Sequence, residues 1–356
     1  MVIKMRKVPA VLLTLVLALG LAACGQSADL ITVYAGIDSA ESPTPVSNTA
    51  FPLAPFDKEI TVGIAARNMN AGFFYALHTS VQSTLESYGV TALLADANDS
   101  AQTQSDQIDN FIVQGVDGIV INVATPEDAV TSALQRAAEA GIPVVGVDSI
   151  LEIGFNNFLG FVGGDNFLLG RGIGAYMAEQ LLARNGVVEG NVAILNGQPN
   201  PIADLRVAGF WAGIESVAPD HGLKEVAHLY GGAWNEEAGV NMGEDVLVAH
   251  PHLDLIMGTA DPFVVGAMAA ARRMGRDEMI MGAVDGSKIA LALVAEGTPV
   301  EVITLQDPVG LGQLSSRILL DFIVNGNTPQ YRIMRLDHPV ATPQNIDALY
   351  DPDAAF

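Results

Sequence analysis

The chain is short of cysteine, of positive charge and of long apolar runs. One cysteine in 356 residues excludes an internal disulfide framework and any cysteine-rich zinc or iron–sulfur site. Seventeen Lys and Arg stand against 40 Asp and Glu, a formal charge of −23, which argues against nucleic acid or an anionic membrane face as partner. The leading apolar run, Val8 to Leu19, is broken by Pro9 and Thr14 and is too short to span a bilayer comfortably. What is present is a half-hydrophobic composition with 36 Gly and 18 Pro. A chain of this length suggests about two domains and buries enough apolar surface to fold without a staple.

The first residues read as an export signal. Lys4, Arg6 and Lys7 precede the apolar run, and small residues lead to the lone cysteine, Cys24. Leu21-Ala-Ala-Cys24 resembles a bacterial lipobox, which implies removal of residues 1–23 and lipidation of Cys24. Residues 24–57 then read as a flexible acidic tether, Pro-rich and without Lys or Arg. Ile31 to Tyr34 is a short strand candidate inside it. The folded body is expected from Lys58.

From Lys58 two periods alternate. Short apolar runs at 60–65, 91–95, 118–123, 143–148, 192–196, 225–230, 253–258, 279–284 and 300–305 are mostly continuous, as in strands buried on both faces of a parallel sheet. Between them Phe74, Leu77, Val81 and Leu85 step at helical spacing, as do Val130, Leu134 and Ala137. Alternation of this kind predicts an α/β chain of right-handed βαβ units, and nine such strands suit two similar lobes. In open α/β sheets ligands bind beyond the carboxyl ends of the strands. The loops there carry Asn70 to Phe74, Asp148, Ser149, Asn196 to Arg206, Trp234, Asp261, Asp285 and Thr304, with no His, no Cys and no Ser–His pair. Rings, carboxylates and one Arg suit a small polar ligand with apolar faces.

Several motifs resemble one family. Asn70-Ala-Gly-Phe-Phe, Gly115-Val-Asp-Gly-Ile-Val-Ile, Ala140-Gly-Ile-Pro-Val-Val-Gly-Val-Asp148, Val162-Gly-Gly-Asp-Asn-Phe-Leu-Leu-Gly170, Leu205-Arg-Val-Ala-Gly-Phe210 and Val284-Asp-Gly286 fall in the order found in ribose-type periplasmic sugar-binding proteins. The resemblance runs from Lys58 to about Thr342. It implies the type I periplasmic binding fold: two similar lobes, each an open parallel sheet with helices on both faces, joined by a three-strand hinge. The first lobe would hold 58–163 plus 305–333, and the second 164–304 plus 334–356.

The resemblance also implies site residues. Phe73 and Phe74 match ring-packing aromatics of the first lobe, and Trp234 the facing aromatic of the second. Asp148 and Asp285 match hydroxyl-accepting carboxylates, and Arg206 a donor to ligand oxygens; Asn70, Ser149, Asp261 and Thr304 complete the expected site. Plainer roles stay open: a helix-start core for the two Phe, caps for the two Asp, a surface pair with Asp204 or Glu215 for Arg206, and packing for Trp234. Ala71, Ser149, Ala260 and Thr304 stand where the family usually has Asn, Arg, Asn and Gln. An unpaired ligand hydroxyl costs about 1–3 kcal/mol, so ribose itself is not the expected ligand.

Other motifs fail. Gly170-Arg-Gly172-Ile-Gly174 lacks the last glycine of a dinucleotide loop, where Met177 stands, and its glycines suggest instead a helix lying close on its sheet. His250-Pro-His252 lacks a third metal ligand, and Asp96 to Asp99 lacks the glycine and glutamate of a calcium loop. The expectation is therefore a receptor and not an enzyme, with no cofactor and no metal. It would be extracytoplasmic and lipid-anchored, act as a monomer, and present a monosaccharide or polyol to an ABC permease. A sensory receptor serving a membrane kinase or chemoreceptor is the alternative. The one enzyme these residues suggest is a paired-carboxylate hydrolase using Asp148 and Asp285.

Overall fold

A computed structural model describes residues 38–41, 45–47, 51, 53, 55–124, 128–148, 158–354 and 356. The expected leader, Cys24, the strand candidate at 31–34 and Ser149 lie outside the described residues. The strands are β1 (Asp38–Glu41), β2 (Thr61–Ala66), β3 (Thr91–Asp96), β4 (Gly118–Ile121), β5 (Val144–Val147), β6 (Gly160–Gly163), β7 (Glu189–Asn196), β8 (Gly222–Tyr230), β9 (Leu255–Gly258), β10 (Ile280–Asp285), β11 (Val300–Leu305), β12 (Tyr331–Arg335) and β13 (Val340–Ala341). The helices are α1 (Gly72–Ser87), α2 (Ala101–Gln114), α3 (Asp128–Glu139), α4 (Asn166–Asn185), α5 (Pro201–Val217), α6 (Glu236–Ala249), α7 (Asp261–Met274), α8 (Lys288–Ala295), α9 (Pro308–Asn325) and α10 (Ile346–Leu349).

Two sheets result, in the orders β1-β12-β6-β5-β4-β2-β3 and β13-β11-β10-β9-β7-β8. Every pairing is parallel except β11 with β13. Each sheet is buried on both faces, which is why its strands read as continuous apolar runs. In the first, Leu77, Val81, Leu314 and Ile318 of α1 and α9 cover one face, and Ile108, Phe111, Val130 and Leu134 of α2 and α3 the other. In the second, Ile173 and Phe210 of α4 and α5 face Met242, Phe263 and Leu291 of α6, α7 and α8 across the sheet. The molecule is thus two α/β lobes, as expected. The chain passes between the sheets after β6, after β11 and after β12.

Helix ends follow local chemistry. Ser100 accepts a hydrogen bond from Thr103 N and opens α2, which closes at Gly115 in the left-handed region. Asp165 caps α4 through Leu168 N, and Asn200 caps α5 through Ala203 N.

Three features differ from the sequence reading. First, β6, β12 and β13 are not expected from sequence: β6 is four residues beginning and ending in glycine, and β12 alternates half-buried and buried positions with an arginine at each end of its last four residues. Because β12 runs to Arg335, the boundary expected at Ile333 falls inside a strand. Second, the tether is not a free spacer throughout. β1 pairs with β12, Val46 N donates to Arg335 O at 2.8 Å, and Val46, Phe51, Leu53 and Phe56 pack on the first-lobe core. Averaged composition hides these apolar residues among prolines, yet an extended Pro-rich chain lays them along a surface. Third, Gly170 and Gly174 do not face the sheet. A methyl group on either would stand 1.9 Å from the carbonyl oxygen of Arg206 or Phe210, so α5 lies directly on the backbone of α4. Gly172 alone turns towards the strands, at Thr304 and Val340.

Candidate functional site

The site is assembled at strand ends. Asp148 directly follows β5 and Asp285 ends β10, and both non-glycine residues stand at positive φ, 67° and 129°. Such backbone costs about 1–3 kcal/mol per residue and persists where its surroundings fix it. For Asp148 the surroundings are Val162 O, which accepts its N–H at 2.8 Å, and the fully buried Asn122, whose Nδ2 donates to Asp148 Oδ2 at 3.0 Å and to Val147 O at 3.2 Å. For Asp285 they are Gln306, whose Nε2 donates to Oδ1 at 2.8 Å, and Asp261, which holds the next turn. Asp261 Oδ2 accepts Gly286 N at 2.9 Å and Ser287 N at 2.5 Å.

Arg206, 5% exposed, projects from the second turn of α5 and does not pair with Asp204 or Glu215. Its Nε donates to Asn166 Oδ1 at 2.9 Å and its Nη1 to Thr259 O at 2.7 Å, with Asp285 Oδ1 at 3.5 Å. The guanidinium is thus fixed by α4 and the end of β9 while facing the carboxylate. Burial raises the Asp285 carboxyl to about 6, against the pull of Arg206 and Gln306, and the like charge of Asp148 adds to the rise. Asp261 is raised well above its ordinary value, first by burial and then by the charge of Asp285.

The aromatic residues divide between the lobes. Phe73 and Phe74 meet edge to face at 5.7 Å in the first turn of α1, and the Arg67 guanidinium stands 5.5 Å over the Phe74 ring. Arg67 Nε is held by Asp99 Oδ1 at 2.8 Å, and the same carboxylate accepts Asn68 Nδ2 at 2.9 Å. Asn68 Oδ1 in turn accepts the N–H groups of Asn70 and Ala71, at 3.1 and 3.3 Å, fixing the entry to α1. Trp234 packs one side of its ring against Gly197 and lies tilted on Phe263 at 5.4 Å. It is half-buried, so the packing role and an open face coexist.

Three expected residues are placed otherwise. Asn70 is exposed and its amide donates to Asn98 Oδ1 at 3.0 Å. Asp261 is 1% exposed and supports the turn behind Asp285, because both its N–H partners belong to that turn. Thr304 is equally buried and packs its methyl towards Gly172 beneath α4. Two residues later on the same crossover stands an amide, Gln306, whose Nε2 is bonded to Asp285. The sequence singles out neither Asn122 nor Asn166, and marks Asn196 only as the start of the loop running to Arg206. Asn196 ends β7 fully buried, accepts Gly197 N and Thr259 Oγ1 through Oδ1, and leaves Nδ2 without a hydrogen-bond partner. An Asn closing an apolar strand run was the available signal for Asn122 and Asn196.

A cavity of about 260 Å³ lies beside this cluster, lined by Leu291, Gln306, Asp307, Pro339 and Phe356 among others. Among the described residues, no group of three or more His, Cys, Asp and Glu is placed to hold a metal, and no helix is long and apolar enough to cross a membrane. Asn98 N bonds Asp96 Oδ1, so the Asp96–Asp99 segment is a turn.

Residues 62–327 match the model of the periplasmic binding protein domain. Among curated proteins, the ribose import binding protein of Bacillus subtilis is 28% identical over 276 residues, spanning 78% of this chain and 85% of that protein. A solved ABC transporter solute-binding protein of Mycobacterium smegmatis with bound glycerol is 26% identical at a TM-score of 0.73, covering 84% of this chain and 99% of that one. A second Mycobacterium smegmatis structure, in complex with β-D-fucofuranose, is 27% identical at a TM-score of 0.70, covering 81% and 93%.

Proposed function

Because the chain belongs to the periplasmic binding protein family, a family of extracytoplasmic solute receptors and not of enzymes, we propose that it binds a monosaccharide or related polyol between its lobes. It would then deliver that ligand to an ABC permease. The observation that carries this reading is the facing arrangement of Asp148 in one lobe and the Arg206–Asp285–Gln306 group in the other. Phe73 and Phe74 of the first lobe and Trp234 of the second would offer the ring faces. Ionised groups make shorter and stronger hydrogen bonds than neutral ones, and a carboxylate accepts from two hydroxyls, so a hydroxyl rim is the natural complement. Aromatic rings suit the C–H faces of a sugar.

Closure follows from geometry. A ligand held by both lobes stabilises the closed arrangement by its differential affinity for it. The ribose import protein and the fucofuranose complex support a sugar as ligand. Ala71, Ser149, Ala260 and Thr304 still argue against ribose. Cys24 would carry the lipid that keeps the receptor at the outer membrane face.

The test is thermal unfolding of the chain freed of residues 1–23, against pentoses, hexoses, polyols and nucleosides. A ligand at about 100 times its Kd stabilises by about 2.7 kcal/mol. A sugar that shifts the midpoint, and no longer does so with Asp148→Ala, supports the reading. Stabilisation by a nucleoside alone would overturn the sugar assignment.

A further inference from the structure

The three interlobe connections are not the whole link between the lobes. The segment from Ile346 to Ala354 is rooted in the second lobe: Ile346 belongs to its core, and Leu349 and Tyr350 pack on that core. Asn345 is tied to Thr342 through Oδ1 at 2.8 Å, and Lys288 Nζ, at the start of α8, donates to Ala354 O at 3.3 Å. Two residues further on, Phe356 has reached the other lobe. Its ring meets Phe73 edge to face at 5.6 Å and 79°, and its Cδ2 lies 3.8 Å from where a methyl group on Gly72 would stand. Both contacts are in the first turn of α1. On the way the segment covers the hinge-side cavity, which Gln306 and Asp307 line from the second connection.

We propose that residues 346–354 form a strap across the lobes, with Phe356 as its clasp on Phe73. The clasp is made only when the first turn of α1 lies close to the α8 side of the second lobe. It therefore favours that lobe separation before any ligand arrives, and Phe356 tunes ligand affinity without touching the ligand. An edge-to-face pair of this kind shifts a two-state balance roughly two- to tenfold. The inference needs two lobes and a hinge, and does not depend on which ligand binds.

The test measures lobe separation in the absence of ligand, so a failure of the sugar reading leaves it intact. The full chain with Cys24→Ser carries spin labels at Tyr75→Cys and Leu205→Cys. Both side chains are exposed and adjoin Phe74 and Arg206 on opposite sides of the cleft. Phe356→Ala is expected to move population to longer distances by roughly two- to tenfold, and Phe356→Tyr to restore the original distribution. Lys288→Ala, which frees the Ala354 anchor without touching either ring, is expected to move the distribution in the same direction. It carries the test should Phe356→Ala fail to fold. An unchanged distance distribution in Phe356→Ala, or in Lys288→Ala if that variant alone folds, would overturn the proposal.

Discussion

Gln306 is bonded twice to Asp285: its Nε2 donates to Oδ1 and its backbone N–H to the carbonyl oxygen, both at 2.8 Å. Gln306 lies on the second connection between the lobes, immediately after β11. Its Oε1 stands 2.6 Å from where a methyl group on Gly164 would be, so it also rests on the first connection. A hinge residue and a site carboxylate therefore keep one geometry. Gln306→Leu removes a bond to a charged group, worth about 1.5–3 kcal/mol, and is expected to weaken ligand binding at least tenfold by calorimetry while the fold is kept.

Arg206→Ala should be more damaging. It leaves Asp285, 14% exposed, without its guanidinium, and breaking a buried pair costs about 3–5 kcal/mol. Chemical denaturation is expected to show a loss towards the low end of that range, since the contact is 3.5 Å. Arg206→Lys should not rescue it, because one ammonium cannot replace the separate Nε and Nη1 bonds to Asn166 and Thr259.

Affinity should fall in acid. Asp285 has its carboxyl raised to about 6, so below that pH it loses the charge that accepts ligand hydroxyls. Binding measured between pH 7.5 and 5 is expected to fall by about tenfold per pH unit once below 6. Asp285→Asn should bind weakly at every pH with that dependence removed. For the unliganded protein the sign is opposite: a raised carboxyl makes its favourable contribution to folding below the unfolded value of 3.8 and loses it as pH rises through 6.

His78 supplies the opposing pH term. It is 1% exposed in α1 with neither ring nitrogen hydrogen-bonded, and burial lowers it to about 4 from 6.5. The unfolded chain takes up the proton first, so its contribution is fully present above 6.5 and is lost as pH falls through 4. The span corresponds to about 3 kcal/mol. In His78→Leu, urea midpoints recorded from pH 7 to 4 should lose that downward slope.

A chain begun at Lys58 should be less stable than one begun at Asp38. It lacks β1 and the packing of Val46, Phe51, Leu53 and Phe56. Partial burial of four such side chains contributes about 2–4 kcal/mol, readable as a lower thermal midpoint. Equal midpoints would return the segment to the role of a spacer.

The parallel core was legible because double burial writes itself as unbroken apolar runs, and β2 to β5 and β7 to β11 all lie where those runs are. What was not legible depended on partners distant in sequence. β12 becomes a strand because β6 and β1 flank it, and nothing in Tyr-Arg-Ile-Met-Arg announces that. Within the candidate site, Asp148, Arg206 and Asp285 are legible as candidates because their motifs are local. Sequence does not show that Thr304 lies under α4 while Gln306 stands beyond the strand end; the register of β11 against β10 does. For Asp261, sequence does not announce that Oδ2 is held by Gly286 N and Ser287 N.

The glycine contact between α4 and α5 has a mechanical consequence. Asp165, which caps α4, receives the lobe connection at Gly164, and its N–H donates to His338 Nε2 on the third connection at 2.8 Å. With Gly170 and Gly174 seating α5 on α4 backbone to backbone, no compressible side-chain layer separates the pivot from Arg206. The two helices act as one lever, so a turn at residues 164 and 165 reaches the guanidinium without being absorbed on the way. A methyl group at Gly174 would put slack and strain into that lever, and the loss would be felt at Arg206, far along the chain from the change.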